Sequence, residues 1–206
     1  MTLILGIPTL TRFDLLEQCI DSALAGTVAP DRVVVVDNSA GQCQRRPDCT
    51  YLVPSRNLGV AGGWNLIAKH AGDADLIISN DDILFAPDTI ERMMTVATSN
   101  PRAGIVSPIE GQRFSLFYLR RSAYQDAGPF DESFWPAYFE DNDYHRRLIL
   151  KGWDSPVAFS AVEHAHSATM KEASEADLAL HHARFRANQR RYVFKWGGMP
   201  GQETRQ

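Results

Sequence analysis

The stretch DLIISNDDILF, residues 75–85, carries Asn80, Asp81 and Asp82 into an otherwise apolar run. A carboxylate in such surroundings costs several kcal/mol unless it is paired, protonated or bound to a metal. The three residues therefore read either as a solvated turn that ends a strand or as a metal site at the edge of a sheet. A second acidic group, YFEDNDY, places Glu140, Asp141 and Asp143 at the start of a helical pattern. Acids there complement the helix dipole, and Asp143 is spaced to pair with Arg147 one turn on. Just upstream, Trp135, Tyr138 and Phe139 read first as core, where aromatics before a helix usually pack. EHAHSAT then offers His164 and His166, one residue apart. Smaller polar groups follow other apolar runs: Pro8 and Thr9, Asp37 and Asn38, Arg56 and Asn57. Gly59, Gly62 and Gly63 match neither a dinucleotide fingerprint nor a P-loop, and read as a tight loop or as a place of close backbone approach.

The elements that must position these groups alternate as strand and helix through the first half, the pattern of an α/β fold with parallel βαβ units. TLILGIP, RVVVVDNSAG, TYLVP and ADLIIS read as four strands, and the valine run suggests a strand covered on both faces. Between them, Thr11 and Asp14 resemble a capping box opening one helix, and NLGVAGGWNLIAKHAG reads as a loop feeding another. PDTIERMMTVATSNP is a third helix, with Pro87 near its first turn. AGIVSPI and FSLFYLRR then read as strands that pair antiparallel or mixed at the sheet edge, FEDNDYHRRLILKGW as a helix stopped by Gly152, and SPVAFSAV as strand-like. A long helix is expected from about Lys171 to Trp196, with Arg184, Arg186, Arg190, Arg191 and Lys195 among Phe185, Tyr192, Phe194 and Trp196. Such a tail packs its aromatics on the core and solvates its arginines, or else touches a membrane surface or an anionic partner.

Composition sets the outer limits. With 206 residues, 44% of them hydrophobic, and a net charge of −4, one globular domain is expected, and nothing advertises nucleic acid. No transmembrane span is expected, and the odd set Cys19, Cys43 and Cys49 suits a reducing cytoplasm, with a Cys43–Cys49 disulfide the less favoured alternative. In an open α/β sheet, ligands bind beyond the carboxyl ends of the strands, which is where the polar groups after the first four strands would collect.

The segments GIPTLTR, VVVVDNSAG, SRNLGVAGGWN, LIISNDDILFAPD, FDESFWPAYFEDNDYHRRL and HAHSAT, in that order, resemble the family-2 inverting glycosyltransferases of GT-A fold, especially the rhamnosyltransferase-like members. The resemblance covers nearly the whole chain. It implies a mostly parallel central sheet flanked by helices, with a C-terminal helix: residues 1–100 as the nucleotide half, 101–170 as the acceptor and catalytic half, and 171–206 as the helical tail. It further implies transfer of a sugar from a UDP- or dTDP-linked donor to a glycan, lipid-linked or macromolecular acceptor, with Mn²⁺ or Mg²⁺. By the same resemblance Pro8, Thr9, Asp37, Arg56, Gly62, Gly63, Asn80 and Asp81 line the nucleotide pocket, and Asp82 and His164 hold the metal, with His166 the alternative. Asn80 stands where the family's DxD motif often has its first acid. Asp141 becomes the catalytic base, while Glu140 and Trp135 hold the acceptor. Three rivals are a non-catalytic nucleotide-sugar or glycan-binding module, a sugar-phosphate nucleotidyltransferase, and a phosphatase of the aspartyl-phosphate type, for which Asp37 lacks the second aspartate two residues on. The second normally has a glycine-rich, lysine-bearing loop after its first strand, where this chain has IPTLTR.

Overall fold

The structure, a computed structural model, describes residues 2–111, 113–164 and 175–205, without the side chains of 175–177. Strands β1 (Leu3–Thr9), β2 (Arg32–Asp37), β3 (Cys49–Leu52) and β4 (Asp75–Ser79) pair in parallel in the order β3-β2-β1-β4. Helices α1 (Phe13–Leu24) and α2 (Gly59–Ala71) make crossovers among them. After the short β5 (Ile83–Leu84) and α3 (Thr89–Ser99), β6 (Ile105–Val106) and β7 (Leu116–Leu119) extend the sheet, β7 running antiparallel to both β4 and β6. Helix α4 (Arg121–Ala127), a 3₁₀ turn at Glu132–Phe134, α5 (Glu140–Leu150), β8 (Glu163–His164) and α6 (Glu175–Trp196) complete the described chain.

Strand side chains alternate between two apolar layers, which is why both faces of the central strands are hydrophobic. Leu3, Leu5, Ile7, Val33, Val35 and Ile77 meet α1 and α3. Ile4, Val34, Val36, Leu76 and Ile78 meet α2, α4 and α5. Gly6 of β1 sits so close to α2 that a Cβ there would lie 2.3 Å from Ile67, so only glycine admits that crossing. No described helix is long and apolar enough to cross a membrane.

Several local expectations need correcting. The residue preceding α1 is Arg12, no side chain caps the helix, and Asp14 pairs with Arg12 instead of closing a capping box with Thr11. Gly62 and Gly63 stand in the first turns of α2 and not in a loop: the helix begins at Gly59. Pro87 precedes α3 by two residues. SPVAFSAV forms no strand; it touches the β6 region through two isolated bridges, Ala103 with Asp154 and Ser107 with Val157, with no continuous ladder to extend. The three cysteines are free.

Candidate active site

β2 and β4 flank β1 on opposite sides, and a crevice must open where the chain reverses its winding, beyond the carboxyl ends of β1 and β4. A cleft of about 710 Å³ lies there. Its strand-edge wall is built from Pro8 and Thr9 at the end of β1 with Leu10 to Arg12 beyond it, from Asn80, Asp81 and Asp82 after β4, and from His164. Asp82 and His164 are 82 positions apart in sequence, but β5 and β8 pair antiparallel with Ile83 opposite His164. That ribbon sets Asp82 Oδ1 3.1 Å from His164 Nε2, with both side chains largely covered. Asp82 Oδ1 is buried and makes no hydrogen bond among the described residues, so the two atoms approach without hydrogen-bond alignment. Asp81 differs: its Oδ2 accepts from the buried Thr9 hydroxyl at 2.7 Å. Burial, with the charge of Asp82 adding to it, pushes Asp81 up to about 6.

An unpaired carboxylate oxygen beside an imidazole nitrogen is a donor set suited to a divalent cation. Mg²⁺ and similar ions commonly take one or two protein ligands and complete their shell with phosphate oxygens and water. Among the described residues no three His, Cys, Asp or Glu side chains converge; Asp82 and His164 are two side chains of this cleft that could ligate a cation. His166 lies outside the described residues.

The opposite wall comes from the segment before α5 and from α6. Tyr138 and Phe139 adopt left-handed backbone angles, φ +79° and +71°, which is costly for aromatic residues and shapes the entry to α5. The same segment packs on Gly59, itself at φ +71°, where a Cβ would lie 2.5 Å from the Pro136 carbonyl. Phe139 is core, packed with Phe134, Tyr192 and Trp196, whereas Trp135 and Tyr138 stay exposed. Helix α6 is tied down by Asn188, which donates to the carbonyls of Phe134 and Ala137 at 2.8 Å. Trp196 Nε1 and Lys195 Nζ both reach the fully buried Asp143, which also accepts from Arg147. Asp143 is thus a structural anchor, with the Arg147 partner its spacing suggested.

Glu140 and Asp141 occupy the first turn of α5. Glu140 is buried with Oε2 unpartnered among the described residues, and burial, with the charge of Asp141 adding to it, pushes it up to about 8. Burial also raises Asp141 above the ordinary carboxylate range, against the pull of the Asn142 N–H, which donates to it at 2.8 Å.

Of the residues singled out in the sequence, Pro8, Thr9, Asn80, Asp81, Asp82 and His164 line the cleft together. Asp37, Arg56, Gly62, Gly63, Trp135, Glu140 and Asp141 are not in its lining. Asp37 is buried, accepting from Ser39 N at 2.9 Å, the Ser39 hydroxyl and Cys43 N at 3.3 Å. A Cβ on Gly63 would meet Pro8, and one on Gly62 would meet Leu58, so these glycines admit protein neighbours. Asn38 and Asn57, named with Asp37 and Arg56 among the polar groups at the strand ends, line the cleft too, whereas Arg12, His181 and Arg184 are polar cleft residues that sequence reasoning missed. The basic character of the tail was the available signal for Arg184. A second depression, near Lys69, Arg121 and Lys195, has its Lys195 engaged by Asp131 and Asp143 and brings no comparable set together.

Comparison with known proteins agrees with this architecture. Residues 5–156 match glycosyl transferase family 2. N-acetylglucosaminyl-diphospho-decaprenol L-rhamnosyltransferase from Mycobacterium tuberculosis, strains CDC 1551 / Oshkosh and ATCC 25618 / H37Rv, is 26% identical, the match covering 81% of this chain and 77% of the relative. Among solved structures, mannosyltransferase PcManGT from Pyrobaculum calidifontis, in complex with GDP-Man and Mn²⁺, superposes with a TM-score of 0.64 at 18% identity; the match covers 97% of this chain and 66% of that one. The chain belongs to glycosyl transferase family 2 and is a glycosyltransferase of GT-A fold.

Proposed function

We propose that the protein moves a sugar from a nucleoside diphosphate to an acceptor hydroxyl with inversion, in a reaction that depends on Mn²⁺ or Mg²⁺ held by Asp82 and His164. The observation that carries this reading is the 3.1 Å approach of Asp82 Oδ1 to His164 Nε2 at the sheet's switch point. Asp82 and His164 would hold the cation, which would supply positive charge to offset that of the departing diphosphate. Asp141 accepts the proton of the acceptor hydroxyl as the new oxygen–carbon bond forms and the bond to the diphosphate oxygen breaks, so that one displacement gives one inversion. Asp141 is suited to the role because burial strengthens it as a base. Glu140 retains its proton near neutral pH and can donate a hydrogen bond to the acceptor.

Donor binding falls to residues 1–100, with Pro8, Thr9, Asn80, Asp81 and the packing at Gly62 and Gly63 shaping the pocket. Asp37 and Arg56 select a pyrimidine base, as in UDP or dTDP; their neighbours Asn38 and Asn57 line the cleft. Residues 101–170 receive the acceptor, which Trp135 stacks. The mycobacterial relatives are named for rhamnosyl transfer, and rhamnose is the first sugar to test.

Calorimetry of dTDP and UDP with and without Mn²⁺ tests the metal assignment. The wild type is expected to bind one of them at least about tenfold more tightly with Mn²⁺, a difference of about 1.4 kcal/mol, and Asp82→Asn to lose that gain with its melting temperature preserved. Equal Mn²⁺ dependence in both proteins would overturn the assignment.

A further inference from the structure

Helix α6 lies beyond the family match, which ends at residue 156, yet it grips the segment that delivers Glu140 and Asp141. That segment is an unfavourable piece of backbone. Tyr138 and Phe139 both sit at positive φ, and α5 starts from Phe139 with no side chain capping it. Two consecutive aromatic residues in the left-handed region persist only where their surroundings over-determine them. Relaxation of either one would swing the first turn of α5, and with it the carboxylate of Asp141.

Asn188 of α6 acts directly on that backbone. It is 4% exposed, and its amide nitrogen donates to the carbonyls of Phe134 and Ala137, both at 2.8 Å. The Ala137 carbonyl and the Tyr138 N–H share one rigid peptide plane, so holding the carbonyl fixes the plane from which the φ of Tyr138 is set. A neutral amide can give two N–H bonds from a single short side chain, which suits it to a buried site facing two carbonyls. Side-chain packing continues the grip: Tyr138 meets Phe185 edge-on at 5.3 Å, and Phe139 lies 5.2 Å from Phe185 and 5.6 Å from Tyr192. Beyond Asp141, Lys195 Nζ and Trp196 Nε1 both reach Asp143, so α6 holds the chain on each side of the Glu140–Asp141 pair.

We propose that Asn188 is a positioning residue for Asp141: by fixing the peptide plane between Ala137 and Tyr138 it maintains the left-handed entry to α5 and so the direction in which Asp141 presents its carboxylate. The proposal rests on Asp141 acting as the base. A general base works only within hydrogen-bond reach of the proton it takes, and a misplacement of about 1 Å can cost about 10²-fold in rate. Helix α6 itself stays docked without the Asn188 amide, because Tyr192 and Trp196 are buried and Asp143 retains Lys195 and Trp196. Loss of the amide should therefore loosen the entry to α5 and leave the rest of the fold in place.

Asn188→Leu keeps the volume and removes both donors, and Asn188→Ala serves if leucine prevents folding. Hydrogen exchange read by mass spectrometry on the full chain reports the grip without any substrate. Peptides covering residues 134–143 are expected to exchange at least about tenfold faster in the variant, while those of β1, β2 and β4 keep their wild-type rates. Hydrolysis of dTDP-rhamnose in Mn²⁺, with water as the acceptor, reads the consequence: kcat should fall at least about tenfold while KM for the donor stays within about threefold. Added to Asp141→Asn, the Asn188 change should cost little more, because both act through one carboxylate. Unchanged exchange at 134–143, or equal acceleration in every peptide, would overturn the proposal. So would a wild-type kcat despite faster exchange, or fully additive losses in the double variant. Failure of the underlying reading has its own signature, namely no hydrolysis by the wild type or near-normal hydrolysis by Asp141→Asn; the exchange rates then decide alone whether Asn188 holds the segment.

Discussion

The carboxyl ends of β2 and β4 look alike in sequence, VVVVDN and LIISNDD, yet the molecule treats their acids differently. At the end of β2, Asp37 is enclosed by donors from its own turn, Ser39 and Cys43, and neither of its oxygens is left without a partner. At the end of β4, Asp82 keeps a buried oxygen without a hydrogen bond among the described residues, facing an imidazole brought from a distant part of the sequence. Helix α5 repeats the contrast within one turn: Asp143 is saturated by Arg147, Lys195 and Trp196, while Glu140 buries an oxygen that is unpartnered among the described residues. Burial alone therefore does not mark a reactive acid. A buried acid with its partners in place organises structure, and one without them holds free energy that a ligand, a cation or a proton can release.

The largest expected effect separates Asp141 from its structural neighbour. Asp141→Asn keeps the size of the side chain and its acceptor for the Asn142 N–H while removing the proton acceptor. Transfer should fall by about 10²–10⁴-fold, the usual cost of losing a general base. Donor affinity, measured on the same preparation, should stay within about threefold, a difference of under about 0.7 kcal/mol. Near-normal transfer would reduce Asp141 to a helix-end charge worth about 0.3–1 kcal/mol.

Glu140 offers the next effect, in stability against pH. Its carboxyl is raised from 4.5 to about 8 in the fold, so the folded protein holds a proton there that the unfolded chain has already released. The associated stability is fully present below pH 4.5 and is lost as pH rises toward 8. Each pH unit of that window is worth roughly 1.4 kcal/mol, so the loss between about pH 5 and 8 is at most about 4 kcal/mol. Glu140→Gln, neutral at every pH, should lack this decline. The variant's melting temperature relative to wild type should climb steadily across the window. Parallel curves would show that Glu140 ionises normally and finds a partner.

How much of this was legible beforehand follows the physics of each element. The strands β1, β2 and β4 announced themselves because burial on both faces demands unbroken apolar runs, and Asp82 stood out because it breaks one. SPVAFSAV carried a similar local pattern and lies along the edge strand β6, but it meets that edge through isolated bridges and not a continuous ladder, and strand pairing is not a property of one segment. The start of α2 was obscured by its glycines, whose preference for loops is overridden by close packing on Pro8 and Leu58. The residues of α6 facing the cleft were hidden for another reason. The helix is basic on much of its surface, and its rotation is fixed by Asn188, Tyr192 and Trp196, so only tertiary docking selects Arg184 and His181 from among its polar side chains.

Asp37 provides the sharpest test of the contrast between saturated and unsaturated acids, with the smallest effect. Asp37→Ala strips the partner from Ser39 N and from the buried Cys43 N. Leaving buried donors unmet typically costs about 1–3 kcal/mol, partly recovered where water reaches the opened turn. Urea unfolding should therefore show a lower midpoint with an unchanged slope, since the surface exposed on unfolding hardly differs. Asp82→Asn, by the same measurement, should match wild type in stability, because the buried Oδ1 makes no hydrogen bond among the described residues that the substitution would break. If Asp37 also selects the base, Asp37→Ala will narrow the preference for UDP or dTDP over ADP in addition to lowering stability. A stability loss with the nucleotide preference intact would assign Asp37 to the turn alone, whereas an unaltered midpoint would mean that its three donors contribute little and that counting partners does not separate the two ends of the sheet.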